Sequence, residues 1–429
     1  MSAGQREKRE RVSLLAEQAL RGLPQGGRAA GPLTAPVVSA APVVTLTDTI
    51  IREAVFMGAS DIHIEPAEER LRVRFRIDGA LREMYGGLPG RLRDVMIARV
   101  KIMAKLDTTE RRLPQDGRIA FDAQGVTVDI RVSTMPVLLG EKVVLRLLSG
   151  ARKLLHLDEL DFSDANRRLF EEWCRRPSGL LLNCGPVNSG KTTTLYAALN
   201  ELNTPDKNIV TIEDPVEYFL PGVNQIQVNA DVKMTFAIGV RSLMRQDFDI
   251  GMVGEIRDEE TAEIAVRAAM TGRLLFSTLH TGSAVGAIFR LLDMGVKPYL
   301  LAASLLGIMA QRLVRRLCPV CREAYEAAED SPEARFLAAN GHEERVLFRA
   351  RGCEACRGTG FQGRMALHEL LPLDARMRRT LAERPKDPET MGDMARATGM
   401  IPLMEDGIQK VLAGLTSLAE VRRVVYGEF

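Results

Sequence analysis

The most restrictive stretch of the sequence is GPVNSGKTTT, residues 185–194. It contains the spacing G-x-x-x-x-G-K-[ST], preceded by the apolar run GLLLNC and followed by a helix-forming segment. In such a strand-loop-helix, backbone N–H groups surround phosphates, the lysine reaches the outer phosphates and the threonine ligates Mg²⁺. The predicted ligands are ATP and Mg²⁺, and the predicted binding residues are Gly185, Pro186, Val187, Asn188, Ser189, Gly190, Lys191, Thr192 and Thr193.

Apolar strand-like runs alternate with helical segments from Leu180 onward. The strand-like runs are GLLLNC, NIVTIE, VNQIQV, DIGMVGE and RLLFSTL. This alternation is typical of the α/β class, in which a mainly parallel sheet has helices on both faces. The run YLLAASLLGIMA, residues 299–310, is too short to span a bilayer. It is interpreted as a buried helix, with helices continuing to Arg316.

Length and composition limit the class of protein. A chain of 429 residues exceeds what one core usually supports, so about two to four domains are expected. Apolar residues make up 46% of the chain and charged residues 27%, which is typical of a globular protein. The net charge of +2, without interleaved basic and aromatic residues, argues against a nucleic-acid partner. With no secretory signal in the N-terminal segment, the predicted location is the cytoplasm.

Residues 1–43 are predicted to form a tail and a flexible linker. Within them, residues 22–43 are rich in Gly, Pro and Ala and have no helical or strand periodicity. An amphipathic helix over residues 12–20 precedes the linker. Both a docking helix and a disordered tail remain open for that segment.

Residues 44–150 have an α+β pattern. The stretch RLRVRFRIDGALREMY alternates apolar and polar residues around Asp78-Gly79, which predicts a β-hairpin. The alternation places an apolar set of side chains on one face of the strand and a basic set on the other. The basic face is either a solvated surface or a partner-binding surface. The apolar set is Leu71, Val73, Phe75 and Ile77, and the basic set is Arg70, Arg72, Arg74 and Arg76.

Acidic side chains are also needed near the Mg²⁺ and phosphates of a P-loop ATPase. The stretch DIGMVGEIRD places Glu255 at the end of an apolar strand, so Glu255 is the candidate catalytic base. Gly254 stands where an aspartate commonly precedes it. Mg²⁺ coordination is therefore expected to rely on Thr192, water or another acidic group.

Two further catalytic candidates follow other strand-like runs. Glu213 lies in VTIEDPVEY, where Asp214 and Glu217 are further candidate Mg²⁺ donors and helix capping by Asp214 is the alternative. His280 lies in FSTLHT, where it is placed to sense the γ-phosphate. A purely structural histidine is the alternative there.

Four of the six cysteines form two Cys-x-x-Cys pairs. Four thiolates in two short knuckles fit tetrahedral Zn²⁺, and a reducing cytosol favours metal over disulfides. The zinc is expected to be structural, because the cysteines fill all four positions; redox pairs are the alternative. The predicted ligands are Cys318, Cys321, Cys353 and Cys356.

The motifs together resemble those of the secretion ATPase superfamily, the GspE/PilB-like assembly ATPases of type II secretion and type IV pili. The resemblance runs from Val43 to the C-terminus. Retraction ATPases of pili lack the tetracysteine module, so the assembly branch is favoured. The motifs are GASDIHIEP, RLPQDGRI, DIRVSTMP, the phosphate loop, TIEDPVEY, MVGEIRD, STLHTGSA, CPVC, GCEAC and GTGFQGRMALHELL.

The resemblance implies a domain order. A PAS-like α+β domain is expected over residues 44–150 and a RecA-like P-loop ATPase domain over residues 151–316. A tetracysteine zinc module over residues 317–366 and a C-terminal helical region over residues 367–429 follow.

The resemblance also implies a cytoplasmic homohexamer at the inner-membrane face. Such a hexamer couples ATP hydrolysis to movement of a membrane platform protein, so that pilin-like subunits join a pilus or pseudopilus. Its membrane association is peripheral, through partners, and it has no nucleic-acid partner. In this family two arginines of the N-terminal module reach the nucleotide; the matching positions are Arg118 in QDGR and Arg131 in DIRVS.

Two stretches depart from the family pattern. Val187-Asn188 replace the usual Thr-Gly, and we expect Asn188 to accept a left-handed backbone. Phe248 and Gly251 replace a proline and an aliphatic residue, and we expect the glycine to weaken strand packing. These departures motivate the alternative of a nucleotide-binding scaffold with little turnover; a nucleic-acid motor of similar core fold is the other alternative.

Overall fold

The computed structural model describes residues 3–21, 38, 41–149, 154–383 and 387–427. The chain divides into two compact units. The first is Met1–Arg152 with Cys353–Thr359, and the second is Lys153–Gly352 with Gly360–Phe429. Among the described residues, no helix has both the length and the apolar character needed to cross a bilayer.

The first unit combines helices with an antiparallel sheet. Its elements in chain order are α1 (Ala3–Arg21), α2 (Ala41–Phe56), β1 (Ala59–Pro66), β2 (Arg70–Ile77), β3 (Ala80–Glu83), β4 (Leu88–Pro89), α3 (Arg93–Met103), β5 (Gln115–Asp122), β6 (Thr127–Val137) and β7 (Gly140–Ser149). The sheet order is β3-β2-β1-β7-β6-β5, and β4 pairs with β2. Positive φ at Asp78 and Gly79 closes the β2–β3 hairpin, which confirms the predicted turn.

The core of the first unit lies between one face of this sheet and the helices. Leu71, Val73 and Phe75 of β2 are buried, whereas the arginines between them are not. Helix α1 covers the segment for which a docking helix or a disordered tail was expected. Its Val12 and Ala16 are buried in the same core cluster, so this helix is a part of the unit's packing.

The second unit is built on a mainly parallel sheet with helices on both faces. Its strands are β8 (Gly179–Cys184), β9 (Ile209–Glu213), β10 (Asn224–Gln227), β11 (Ile250–Val253), β12 (Leu274–Leu279), β13 (Leu305–Leu317), β14 (Arg322–Glu326), β15 (Val346–Ala350) and β16 (Phe361–Pro372). Its helices are α4 (Asp164–Cys174), α5 (Lys191–Leu202), α6 (Phe236–Leu243), α7 (Glu259–Ala269), α8 (Ala284–Asp293), α9 (Pro298–Ser304), α10 (Pro332–Ala339), α11 (Ala375–Ala382), α12 (Pro388–Ala397), α13 (Leu403–Leu412) and α14 (Leu418–Val425).

The order of this sheet is β10-β9-β11-β12-β8-β13-β16. Only the β13–β16 pairing within it is antiparallel. The central strands β8 and β12 are buried along their whole length, because helices cover both faces. Leu180 and Leu182 of β8 face one core cluster, and Leu181 faces the other. The α/β class predicted from the alternating pattern is confirmed.

The buried helix predicted over residues 299–310 is confirmed only as far as Ser304, and the rest is a strand. Residues 299–310 were interpreted as a buried helix that continues in helices to Arg316, but helix α9 ends at Ser304 and β13 begins at Leu305. A short apolar run is compatible with a helix or a strand. Here residues 305–310 form a strand because they pair in parallel with β8. Strand β16 pairs along β13 and crosses the boundary predicted between residues 366 and 367.

The ring of Phe248 fills the space beside Gly251. A Cβ at Gly251 would lie 2.8 Å from Cε2 of Phe248 and 2.7 Å from Cδ1 of Leu275. The Phe248 side chain is only 3% exposed, and the guanidinium of Arg273 lies over its ring at 4.9 Å from the centroid. The prediction that Gly251 weakens the packing of the strand is therefore wrong, because the aromatic ring fills the space beside the glycine.

We predict strong coupling between these two positions. Alone, Phe248→Ala should lower the free energy of unfolding by about 3–5 kcal/mol by leaving a cavity. Alone, Gly251→Val should lower it by about 1–3 kcal/mol by overpacking. In the double variant the valine enters the space left by the ring, so the loss should fall short of the sum by about 1 kcal/mol or more. Denaturant unfolding of the four proteins measures this difference, and additive losses would contradict it.

Candidate nucleotide site and metal centre

Four neighbouring parallel strands end at the same edge of the second sheet, and each carries a predicted site residue at its end or shortly after it. Glu213 ends β9, Glu255 follows β11, His280 follows β12 and the phosphate loop follows β8. The strands lie in the order β9-β11-β12-β8. Ligand sites of parallel α/β sheets form outside the carboxyl ends of the strands. The fold thus gathers groups that are far apart in the sequence.

The phosphate loop joins β8 directly to helix α5. Asn188 has φ 63°, which confirms the left-handed backbone expected there, and Gly190 has φ 87°. A Cβ at Gly185 would lie 2.5 Å from the carbonyl oxygen of Gln311, and one at Gly190 would lie 2.9 Å from its Nε2. Only glycine fits these two positions, so the loop curls tightly at the helix N-terminus, as a phosphate cradle requires.

Lys191 is held against the loop that it follows. Its Nζ donates hydrogen bonds to the carbonyl oxygens of Gly185 and Pro186, each at 2.9 Å. Burial lowers the pKa of Lys191 to about 8, with the nearby Glu255 carboxylate acting in the opposite direction. The hydrogen-bond partners of the ammonium are neutral carbonyl groups, which do not balance its charge. Negatively charged phosphate oxygens would balance it.

Glu255 and His280 face each other across adjacent loops. Nε2 of His280 lies 3.4 Å from Oε2 of Glu255, and Arg257 forms an ion pair with the same carboxylate. Burial, with Lys191 nearby, lowers the pKa of His280 below its ordinary value, which favours the uncharged imidazole. The hydroxyl of Thr278 donates to the carbonyl oxygen of Gly254 at 2.7 Å, which ties β12 to the Glu255 loop.

Glu213 lies in a buried polar cluster. Its carboxylate accepts hydrogen bonds from the hydroxyls of Tyr196 and Thr211 and from Nε2 of Gln225. Burial raises the pKa of this carboxyl. Asp214, next in the chain, lies 3.5 Å from the guanidinium of Arg257. The catalytic and Mg²⁺-binding roles of these acids stay predictions.

Three residues at this edge were missed from the sequence. Tyr196 of α5 bonds to Glu213, and Gln311 of β13 packs beside the phosphate loop. Arg312, the next residue of β13, donates to the carbonyl oxygen of Gly282 in the loop that carries His280. The polar pair QR, which interrupts the apolar run before LVRR, was the available signal for Gln311 and Arg312. The helix interpretation of that run hid it.

Arg118 and Arg131 lie directly opposite each other on β5 and β6 of the first unit. Arg131 also lies opposite Arg146 of β7, whose Nε donates to Asp61 at 3.2 Å. Arg118 is exposed and Arg131 half-buried. Nε of Arg131 is buried with no hydrogen-bond partner among the described residues. Like charges placed opposite one another are unfavourable by themselves, so this pair suits an anion.

The four cysteine sulfurs converge. The Sγ atoms of Cys318, Cys321, Cys353 and Cys356 all lie within 4.8 Å of one another. Those of Cys353 and Cys356 are 3.7 Å apart, close to the roughly 3.8 Å expected between thiolates in tetrahedral Zn²⁺ coordination. The backbone N–H of Cys353 donates to Sγ of Cys356 at 3.1 Å, a bond that stabilises a thiolate. The residues fit a structural zinc ion.

The segment between the two cysteine pairs is folded. Strands β14 and β15 form an antiparallel pair in which Arg322 lies opposite Ala350. Arg322 directly follows the first pair, and Ala350 shortly precedes the second. The strand pairing therefore returns the chain toward its starting point before the second knuckle begins.

Comparison with known families decides the relationship. The chain matches the family described as "Type II/IV secretion system protein" over residues 37–423. The chain belongs to this family. The resemblance inferred from the motifs is therefore confirmed.

Curated members of the secretion family are similar over most of the chain. "Type II secretion system protein E" of Pseudomonas aeruginosa is 51% identical over 389 residues, which are 90% of this chain and 76% of that protein. "Type II secretion system ATPase E" of Vibrio cholerae is 49% identical over 385 residues, covering 90% of this chain and 75% of that protein.

Solved structures of ATPases have the same fold. The pilus retraction motor PilT with bound ADP has a TM-score of 0.59 at 26% identity, covering 87% of this chain and 95% of that chain. The ATPase DotB of Legionella pneumophila, at 21% identity, has a TM-score of 0.64 and covers 90% and 96%. The family, its ATPase relatives and the phosphate-loop motif identify this chain as an ATPase.

We predict that nucleotide binding takes up a proton at pH 8. Lys191 with a pKa of about 8 is half-deprotonated there, and phosphate oxygens would restore its full charge. Uptake of about half a proton is expected, so nucleotide affinity should fall as the pH rises through 8. Calorimetric titration with a non-hydrolysable ATP analogue, in buffers of different ionisation enthalpy, measures the uptake.

The control for this titration is Lys191→Arg. Arginine keeps its charge at pH 8, so binding to this variant should take up no proton from position 191. Equal uptake by both proteins would assign the proton to another group.

We predict that zinc stabilises the cysteine module. Purified protein should contain about one Zn²⁺ per chain. Replacing Cys353 and Cys356 together by serine should remove the metal and lower the thermal unfolding midpoint by several degrees. Cys174→Ala, at a cysteine outside the cluster, is the control and should keep the metal. Elemental analysis with thermal melts measures both effects; unchanged zinc in the serine variant would contradict the assignment.

Proposed function

We propose that this chain is the motor ATPase of a type II secretion system. It works as a homohexamer at the cytoplasmic face of the inner membrane. There it couples ATP hydrolysis to movement of a platform protein, so that pilin-like subunits enter a pseudopilus. The observation that carries the proposal is the convergence of the phosphate loop, Glu255 and His280 in a chain 51% identical to a type II secretion system protein E.

The site supports hydrolysis by positioning and charge. Lys191 exchanges its two carbonyl partners for the outer phosphates of ATP, and backbone N–H groups of the loop hold the rest. Thr192 would ligate Mg²⁺, which supplies charge neutralisation on the phosphates. Glu255 orients and activates the attacking water, and His280 senses the γ-phosphate beside it.

Arg118 and Arg131 complete the site when the domains of the motor close. Their placement opposite one another makes a two-pronged anion site, since guanidinium groups stay charged and bind phosphate oxygens in a bidentate way. The unpartnered Nε of Arg131 within the described residues supports this role. Turnover then depends on assembly as well as on nucleotide binding.

We predict that ATP turnover per subunit rises with protein concentration and then saturates, because the hexamer completes the site. Glu255→Gln should bind ATP normally and lose turnover by about 100-fold or more. Glu263→Gln, at an exposed glutamate of α7 paired with Arg267, should leave turnover unchanged. The measurements are steady-state hydrolysis with Mg²⁺ and binding of a fluorescent nucleotide.

The outcomes separate the parts of the proposal. Turnover that is independent of concentration would remove the need for neighbouring subunits. Persistent hydrolysis by Glu255→Gln would move the base elsewhere. Full activity after replacing Arg118 and Arg131 together by alanine would exclude the two arginines from the site.

A further inference from the structure

Arg312 is a buried cation at the carboxyl edge of the sheet that the hydrolysis scheme does not use. It lies on β13, next to the strand that leads into the phosphate loop, and is 9% exposed. Burial lowers its pKa, with Glu369 nearby acting in the opposite direction. A charge buried this far is expensive unless its hydrogen bonds are specific.

The guanidinium of Arg312 holds the loop that carries His280. Its Nη2 donates to the carbonyl oxygen of Gly282 at 2.6 Å, two residues beyond His280. Its Nη1 donates to the carbonyl oxygen of Gln311 at 3.0 Å. Glu369 accepts a hydrogen bond from the backbone N–H of Ala284 at 2.9 Å, at the start of helix α8. The far end of the histidine loop is therefore fixed to β13 and β16.

Gln311, the preceding residue, holds the phosphate loop. Its Oε1 accepts hydrogen bonds from Nδ2 of Asn183 at 3.0 Å and from the hydroxyl of Thr194 at 2.9 Å. Asn183 lies in the strand before the loop and Thr194 in the first turn of α5. Gln311 thus links the strand that precedes the phosphate loop to the helix that follows it.

We propose that Arg312 is a positioning residue for ATP hydrolysis. Together with Gln311 it fixes the distance between the phosphate loop and the His280 loop, and so places His280 and its partner Glu255 at the γ-phosphate. This inference rests on the proposed site and adds the residue that sets its spacing. Arg312 acts through Gly282 and His280 and does not itself touch the nucleotide.

Arginine suits this task better than lysine does. Its planar fork donates to the two carbonyl oxygens in fixed directions, whereas a lysine ammonium is a flexible point charge. Lysine keeps the positive charge beside Glu369, so Arg312→Lys changes the geometry with little change in electrostatics. A loss of turnover in that variant would therefore report on position.

The test is a double-mutant cycle with His280→Ala. Arg312→Lys should bind a fluorescent ATP analogue within about 2-fold of wild type but lower kcat by about 10–100-fold, since small displacements of reacting groups have effects of this size. The double variant should be no slower than His280→Ala alone, because both changes remove the same interaction, that of His280 with the γ-phosphate. Arg316→Lys, at a β13 arginine paired with Asp161, is the matched control and should keep wild-type kcat.

Each outcome has a clear meaning. Wild-type kcat in Arg312→Lys, or losses that multiply in the double variant, would overturn the positioning role. Wild-type kcat in His280→Ala would overturn the route through His280. Parallel loss of nucleotide binding and thermal stability would make Arg312 a purely structural residue. Arg312→Gln is run through the same cycle, so misfolding of one variant does not decide the result. No turnover in wild type would count against the proposed function instead.

Discussion

The parallel pairing of β8 with β12 and β13 is the constraint on which the site depends. Cys184, the last residue of β8, lies opposite Leu279 of β12 and Ala310 of β13. The phosphate loop, His280 and the Gln311-Arg312 pair therefore all begin at one level of the sheet. A shift of one residue in either pairing would turn every side chain to the opposite face. The buried apolar residues on both faces of β8 oppose such a shift.

Buried polar groups at this edge of the sheet need hydrogen-bond partners, and these hydrogen bonds hold the loops of the site in place. Lys191, Glu213 and Arg312 are each less than a tenth exposed, and all three bond to neighbouring loops or strands. In an interior of low dielectric constant such bonds are strong, and leaving one unmade is unfavourable by about 1–3 kcal/mol. The polar network therefore holds the loops in one arrangement before nucleotide arrives.

Departures from a family pattern are better understood in pairs than singly. Gly251 taken alone predicts a weak strand, but the ring of Phe248 occupies the space that an aliphatic side chain would fill. The unusual phenylalanine and the unusual glycine are one packing solution. Asn188 is likewise accommodated, because asparagine tolerates the left-handed backbone that glycine commonly provides.

The local chemistry of this protein can be predicted from its amino-acid sequence alone. The phosphate loop, the hairpin at Asp78-Gly79 and the cysteine knuckles were predictable because their signals lie within a few residues and depend on backbone geometry or metal coordination. The alternation of strands and helices likewise predicted the α/β class. The strand over residues 305–317 could not be predicted in this way, because a short apolar run forms a helix or a strand according to the segments that it packs and pairs with. The packing of the sheets also placed Gln311 beside the phosphate loop, Arg312 against the His280 loop and Arg118 opposite Arg131, since strand register depends on packing between segments far apart in the chain.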